Sequence, residues 1–278
     1  MAEPSFKVLI IGAGSTGLLL AQGLKQQNVK TTVFEREDPE LYQSRPREWG
    51  IPLQWGAQHI QKCVPPDMRA HLNESICCGP FYGAKGLTLP HYNAETGEKL
   101  FDMPGNEPRR ISRRKLRNFL NQGIDVKYVE KLRNVHKESP NTVKATFEDG
   151  TTATGHVLIG CDGARSAVRP CLVGEDAAQL MDLDIQMFNL AAPKDFAEPW
   201  RSVGASLTSD LTWSTDRTTV YKPFDWSAEE LADIVTLAGD AAHAIPPHRG
   251  QGLNNALEDA AKLVDEVTLA AQGQQSIA

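Results

Sequence analysis

The sequence predicts an α/β fold, a parallel sheet carrying a ligand site beside a small mixed β-sheet, on three observations. An apolar run, Phe6 to Ile11, leads directly into Gly12-Ala13-Gly14-Ser15-Thr16-Gly17 and a helix-like segment. A second apolar run, His156 to Ile159, ends in Gly160-Cys161-Asp162-Gly163. A third, Val235 to Ala238, ends in Gly239-Asp240, a Pro- and Gly-rich link and a new helix. Ligands of open α/β sheets bind outside the carboxyl ends of such strands.

Taken in order, Phe6 to Ile11 reads as a strand covered on both faces and Leu18 to Gln27 as a helix. Thr31 to Phe34 is a second strand with Glu35 at its end. This is the β-α-β dinucleotide fingerprint in its proper context. The first glycine makes the turn, the second admits a pyrophosphate, and the third lets helix pack on strand. Glu35 stands at about the ~20-residue spacing at which an acid bonds a ribose hydroxyl.

Residues 38–110 show Pro-rich turns, scattered aromatics and no sustained periodicity, which predicts loops, one or two helices and short strands. Arg47, in Ser-Arg-Pro-Arg-Glu-Trp-Gly, is either a phosphate contact or part of a solvated loop. Ser112 predicts an N-cap for a helix through about Asn121, with Leu116, Phe119 and Leu120 on one face. Arg113, Arg114, Lys115 and Arg117 fill the rest, as a solvated face would. Arg113 is singled out because a cation in the first turn opposes the helix dipole, a cost that a bound phosphate offsets.

Strands begin at Asp125 to Val129. Val143, Ala145 and Phe147 alternate with polar residues before the Asp149-Gly150 turn. Leu180 to Leu190 and Val203 to Val220 are strand-like and predict a small sheet beside the dinucleotide domain. In the third segment Asp240 is an acceptor for hydroxyls. The first turn of the helix starting near Gly252 to Asn254 offers N–H groups to an anionic oxygen.

The net charge of −6 argues against a general nucleic-acid binder. Five cysteines (63, 77, 78, 161 and 171) show no Cys-x-x-Cys spacing and read as reduced thiols rather than a metal or disulfide framework. Val8 to Leu24 is too Gly-interrupted for a membrane span, so the expectation is a cytoplasmic protein without a membrane segment. No metal site is expected.

Together the three motifs, GAGSTG with Glu35, CDGARSAVR at 161–169 and GDAAHAIPPHRGQGLNNALEDA at 239–260, resemble the flavoprotein monooxygenases related to para-hydroxybenzoate hydroxylase, many of them fungal secondary-metabolism enzymes. The resemblance covers most of the chain. It implies a Rossmann-like FAD-binding domain over 1–70, 110–170 and 232–272, a reduced substrate domain over 71–109 and 171–231, and a tail at 273–278. It implies FAD, with Gly12, Gly14 and Thr16 on the pyrophosphate and Glu35 on the adenosine ribose. Arg113 and Arg47 match family arginines that contact the cofactor. Asp240 matches the aspartate on the ribityl chain or pyrophosphate, and Gly252, Leu253 and Asn254 the helix start beside the flavin pyrimidine. Asp162 matches an aspartate linked to both FAD and NAD(P)H.

The chemistry so implied is hydride transfer from a transiently docked NAD(P)H to flavin, then oxygen addition at the flavin C4a. The terminal oxygen would hydroxylate or epoxidise an aromatic or polyketide-like small molecule. No catalytic side chain is carried over. His248 is a candidate base, and His243 is read as satisfying local backbone. The chain departs from the family in length: Ala164 to Ala238 is only 75 residues, and the chain runs 18 residues past Ala260. Much of the substrate lid and floor is therefore expected to be missing. The alternatives are a flavin-binding relative that performs a non-redox isomerisation or cyclisation, or an inactive truncated product.

Overall fold

A computed structural model describes residues 6–44, 50–77, 88–93, 95–104, 109–191, 212–246 and 250–274. Five parallel strands form the central sheet: β1 (Lys7–Ile11), β2 (Lys30–Glu35), β7 (Val126–Tyr128), β11 (Val157–Gly160) and β14 (Val235–Leu237). Their order is β14-β11-β1-β2-β7, so the chain reverses direction of growth between β1 and β11. That switch point is where a doubly wound sheet opens a crevice for ligand.

Period-two alternation gives each face of the sheet its own core. Val8, Ile10, Val157 and Ile159 face α1 (Ser15–Gln26), α3 (Gly56–Cys63), α6 (Arg113–Leu120) and α9 (Gly252–Ala271), whose Leu20, Ile60, Leu116 and Leu257 are fully buried against them. Leu9, Ile11 and Leu158 face the other way, onto the antiparallel meander of β8 (Leu132–Ser139), β9 (Thr142–Phe147) and β10 (Thr152–Gly155). Phe34 and Phe147 meet there with ring centroids 4.7 Å apart. The result is three layers: helices, parallel sheet and meander.

Within 38–110 the described residues hold more helix than the sequence predicts: α2 (Pro39–Ser44), α3, α4 (Pro66–Ala70) and α5 (Leu72–Ile76). Each turn is short, and Pro65 and Pro66 interrupt the spacing of Ile60, Cys63, Leu72 and Ile76, so no long period survives to be read. Among the described residues three antiparallel strand pairs lie outside the meander. They are β3 (Gly50–Leu53) with β6 (Arg109–Ser112), β4 (Thr88–Tyr92) with β5 (Lys99–Pro104), and β12 (Leu180–Ala191) with β13 (Thr212–Tyr221). The last pair is the small sheet expected beside the dinucleotide domain. The segment 203–211 of that expectation lies outside the described residues.

A further helix, α7 (Val168–Ala177), was not expected. It carries Pro170 and breaks at Gly174 (φ 78°), which masked its pattern. Its start is fixed by two side chains: Asp162 Oδ2 accepts from the Ala167 N–H at 2.6 Å, and Ser166 Oγ from the Arg169 N–H at 2.9 Å. No helix among the described residues is long and apolar enough to cross a membrane.

Candidate functional site: a nucleotide groove at the carboxyl edge

The loops after β1, β11 and β14 touch one another. Gly12 has φ +105°, and a Cβ there would stand 2.5 Å from the Cys161 carbonyl oxygen, so only glycine lets the first two loops meet. Gly239 has φ +60°, and a Cβ would stand 2.6 Å from Thr16 Oγ1, which brings the third loop onto the first. Arg169, 1% exposed, closes the remaining side by donating from one terminal nitrogen to the carbonyls of Ala241 (3.2 Å) and Ala242 (3.0 Å).

A groove of about 260 Å³ opens where the first two loops meet, lined among others by Gly12, Gly14, Glu35, Arg113, Arg117 and Asp162. Helix α1 points its amino end into it. Gly14 is its N-cap, with no side-chain cap and no acid in the first turn, so first-turn N–H groups and the positive end of the dipole are open to an anion. Glu35 lies opposite, 8% exposed. Its Oε2 accepts the Ala13 N–H at 2.8 Å and its Oε1 the Glu37 N–H at 2.9 Å. Asp162 uses one oxygen at the start of α7, while its other oxygen, Oδ1, is buried without a partner. Burial pushes this carboxyl above its ordinary range, against the hydrogen bonds it accepts. Asp162 thus brings an acceptor without a protein donor to the wall of a groove that Arg113 and Arg117 share with Glu35 and Glu37.

Five of the expected residues, Gly12, Gly14, Glu35, Arg113 and Asp162, thus share one groove. Ser112 is the N-cap of α6 as expected, its Oγ accepting the Lys115 N–H at 3.0 Å. Asp240 lies beyond that groove. It is exposed, yet protein surrounds it at longer range, and this desolvation raises its carboxyl; the Arg113 guanidinium works in the opposite direction. Gly252 opens α9 nearby, its Cβ position 3.9 Å from Asp240 Oδ1, and α9 has no side-chain cap.

The remaining expected residues sit differently. Thr16 is 8% exposed beneath Gly239. Leu253 packs partly buried on the helical core. Asn254 is fully buried, and both its amide atoms are engaged. Oδ1 accepts from Gln54 (2.8 Å) and Gly56 (3.1 Å), and Nδ2 donates to Pro52 (3.2 Å) and Gly250 (3.3 Å). Arg47 and His248 lie outside the described residues.

Two expectations are corrected. His243 does not serve local backbone alone: its Nε2 is 2.6 Å from Asp259 Oδ2, because α9 returns beneath the loop, and a bond to its own backbone accompanies it. Arg117 does not sit on a solvated face. It is 7% exposed and donates from Nε to the Ala13 carbonyl at 2.7 Å. The signal was present, since residues 113 and 117 are one helical turn apart and share a side. Among the described residues no cluster of three or more His, Cys, Asp or Glu could hold a metal ion.

Comparison with known proteins agrees with this geometry. Residues 10–74 match the model of an NAD(P)-binding Rossmann-like domain, and residues 209–277 that of an FAD binding domain. The FAD-dependent monooxygenase cctM of Talaromyces islandicus is 32% identical over 92% of this chain and 81% of its own. The FAD-dependent monooxygenase phnB of Penicillium herquei is 30% identical over 95% and 82%. The alignment with the first runs over 325 positions, more than this 278-residue chain contains, so that relative carries interior residues without counterparts here. Among solved structures, 2,6-dihydroxypyridine-3-hydroxylase from Arthrobacter nicotinovorans superimposes with a TM-score of 0.71 at 18% identity, over 98% of this chain and 86% of that one. At that identity the likeness is one of fold.

Proposed function

The chain belongs to the FAD-dependent monooxygenases, and from that premise we propose that it binds FAD across the three loops and oxygenates an aromatic or polyketide-like small molecule, with NAD(P)H as transient reductant. The observation that carries this reading is the groove itself. It combines in one wall an uncapped helix end, the Arg113 cation and Asp162, whose Oδ1 has no protein partner. That donor set fits a pyrophosphate flanked by sugar hydroxyls.

In this reading Gly12, Gly14 and the first turn of α1 hold the pyrophosphate, and Glu35 accepts from the adenosine ribose. Asp162 and Asp240 accept from hydroxyls further along, and Arg113 neutralises phosphate. Arg47 joins them as a proposed phosphate contact. The backbone at Gly252, Leu253 and Asn254 directs the amino end of α9 at the flavin, where its dipole favours negative charge. FAD, when bound, supplies the redox and oxygen chemistry; the protein binds, orients and excludes water.

The test is to quantify flavin released from the purified protein. NAD(P)H consumption, product and hydrogen peroxide are then measured with candidate phenols. Near-stoichiometric FAD with product formed per NAD(P)H supports the reading. A colourless protein that does not take up added FAD sinks it.

A second reading has one observation in its favour, the interior residues that the relative has and this chain lacks. A substrate site left open to water would release peroxide instead of product. Bound FAD with peroxide as the sole oxidised product would favour a flavoprotein that has lost hydroxylation, and would direct the search to a non-redox isomerisation or cyclisation.

A further inference from the structure

We propose that Arg117 is a positioning residue for the adenosine half of the bound dinucleotide, acting through Glu35 and the Ala13 peptide; this rests on the FAD-binding reading above. Arg117 projects from α6 into the protein rather than into solvent. A buried guanidinium needs compensation on every side, and Arg117 finds it in three places. Its Nε donates to the Ala13 carbonyl at 2.7 Å, a terminal nitrogen stands 3.6 Å from Glu35 Oε2, and its carbon lies 3.7 Å from the centre of the Tyr42 ring.

These contacts form a closed ring. The Ala13 N–H donates to Glu35 Oε2, the Ala13 carbonyl accepts from Arg117, and Arg117 faces Glu35. Ala13, between the first two glycines of the loop, is thereby gripped at both its N–H and its carbonyl by a pair of opposite charges. Both Glu35 oxygens are also fixed, the second by the Glu37 N–H, and a carboxylate oxygen has a further lone pair for a sugar hydroxyl. The loop, the acid and the cation line the same groove.

Electrostatics gives the ring a purpose. Glu35 confronts a ligand that is itself anionic, and an unscreened carboxylate beside a pyrophosphate would repel it. Arg117, beside Glu35 in the same groove wall, offsets that repulsion while leaving Glu35 a lone pair with which to accept. Lysine would supply the charge without the fork that reaches Ala13 and Glu35 together. A guanidinium that merely tied α6 to the loop would not need to face the one acid proposed to read the ribose.

The test uses the full chain, stripped of flavin, titrated with FAD by fluorescence quenching and with ADP by calorimetry. Wild type is compared with Arg117→Met, Arg117→Lys, Glu35→Gln and the Met/Gln double variant, with thermal melts of each. Arg117→Met is expected to weaken both ligands about tenfold to hundredfold, as loss of charge-assisted bonds does, and Arg117→Lys less. The double variant is expected to bind more weakly than Glu35→Gln, because the bond to Ala13 is lost as well, but by clearly less than the product of the two single losses. Wild-type affinity in Arg117→Met overturns the proposal. So does a double variant in which the two losses multiply, because Arg117 would then act independently of Glu35. If Arg117→Met does not fold, Arg117→Lys decides: wild-type affinity for ADP overturns the proposal, and a loss retained in FAD and ADP alike supports it. Failure of the wild type itself to bind FAD overturns the proposed function as well, which keeps the two outcomes apart.

Discussion

His243 holds its Nε2 2.6 Å from Oδ2 of Asp259, and the same oxygen accepts the Gly239 N–H at 2.9 Å. One carboxylate on α9 therefore fastens both the turn after β14 and the last residue of α8 (Asp240–His243). The hydrogen bond that the His243 ring donates to Asp259 raises its pKa above the usual 6.5, with burial opposing it and the charges of Asp259 and Asp240 assisting. A raised histidine pKa stabilises the fold fully below the ordinary value, and that contribution is lost as pH rises through the higher folded value. Urea unfolding of the wild type should show stability falling from about pH 6 towards mildly alkaline pH. His243→Asn should flatten that slope. An unchanged slope in the variant would remove His243 as its cause.

Asp162 gives a prediction about ligand rather than fold. Its Oδ2 accepts at the start of α7 at 2.6 Å, and its Oδ1 is buried and without a partner. Asp162→Asn keeps an acceptor at α7 but puts an N–H₂ in the place of Oδ1, removing the acceptor proposed for a ligand hydroxyl. FAD affinity should drop about tenfold with little change in melting temperature. Undiminished affinity would exclude Asp162 as a cofactor contact.

Much of this was legible in the sequence, and the reasons are local. Gly12 to Gly17 between an apolar strand and a helix, Glu35 after Phe34, and Gly239-Asp240 after Val235 to Ala238 all lie within one supersecondary unit each, where spacing carries the geometry. The meander was readable because Val143, Ala145 and Phe147 alternate into one core. What the sequence hid depends on partners far along the chain. Arg117 is buried because Ala13 and Glu35 come to it, and His243 pairs with Asp259 because α9 folds back under α8. Helix α7 was hidden by Pro170 and the positive φ of Gly174, although Ser166 and Asp162 both cap its start. The engagement of Asn254 with Pro52, Gln54 and Gly56 spans about two hundred residues, which no local pattern encodes.

Arg169 and Tyr221 join the small β12–β13 sheet to the loops. The guanidinium lies 4.0 Å over the Tyr221 ring, and Tyr221 donates its hydroxyl to the Ala164 carbonyl at 2.6 Å. Arg169→Met should lower stability by about 3 kcal/mol or more, because the Ala241 and Ala242 carbonyls lose their donor inside the protein. Tyr221→Phe keeps the stack and loses one hydrogen bond, so about 1 kcal/mol is expected. Denaturant titrations read both. A Tyr221 variant as damaging as the Arg169 variant would mean that the β-sheet contact, not the carbonyl clamp, dominates.

Asn254 separates shape from hydrogen bonding at the start of α9. Its Oδ1 takes two N–H groups and its Nδ2 serves two carbonyls, all away from solvent. Asn254→Asp changes almost no volume, yet it replaces a double donor with an acceptor facing the Pro52 and Gly250 carbonyl oxygens, and it buries a charge. Asn254→Ala removes the side chain and leaves all four groups unmet without adding repulsion. Each should destabilise the protein by about 2–4 kcal/mol, with the aspartate variant recovering stability as pH falls and its carboxyl gains a proton that can donate. The alanine variant should show no such recovery beyond that of the wild type. Equal pH profiles for the two would mean that the amide donor at Nδ2 contributes little, and that the two bonds to Oδ1 alone hold α9 against the turn between β3 and α3.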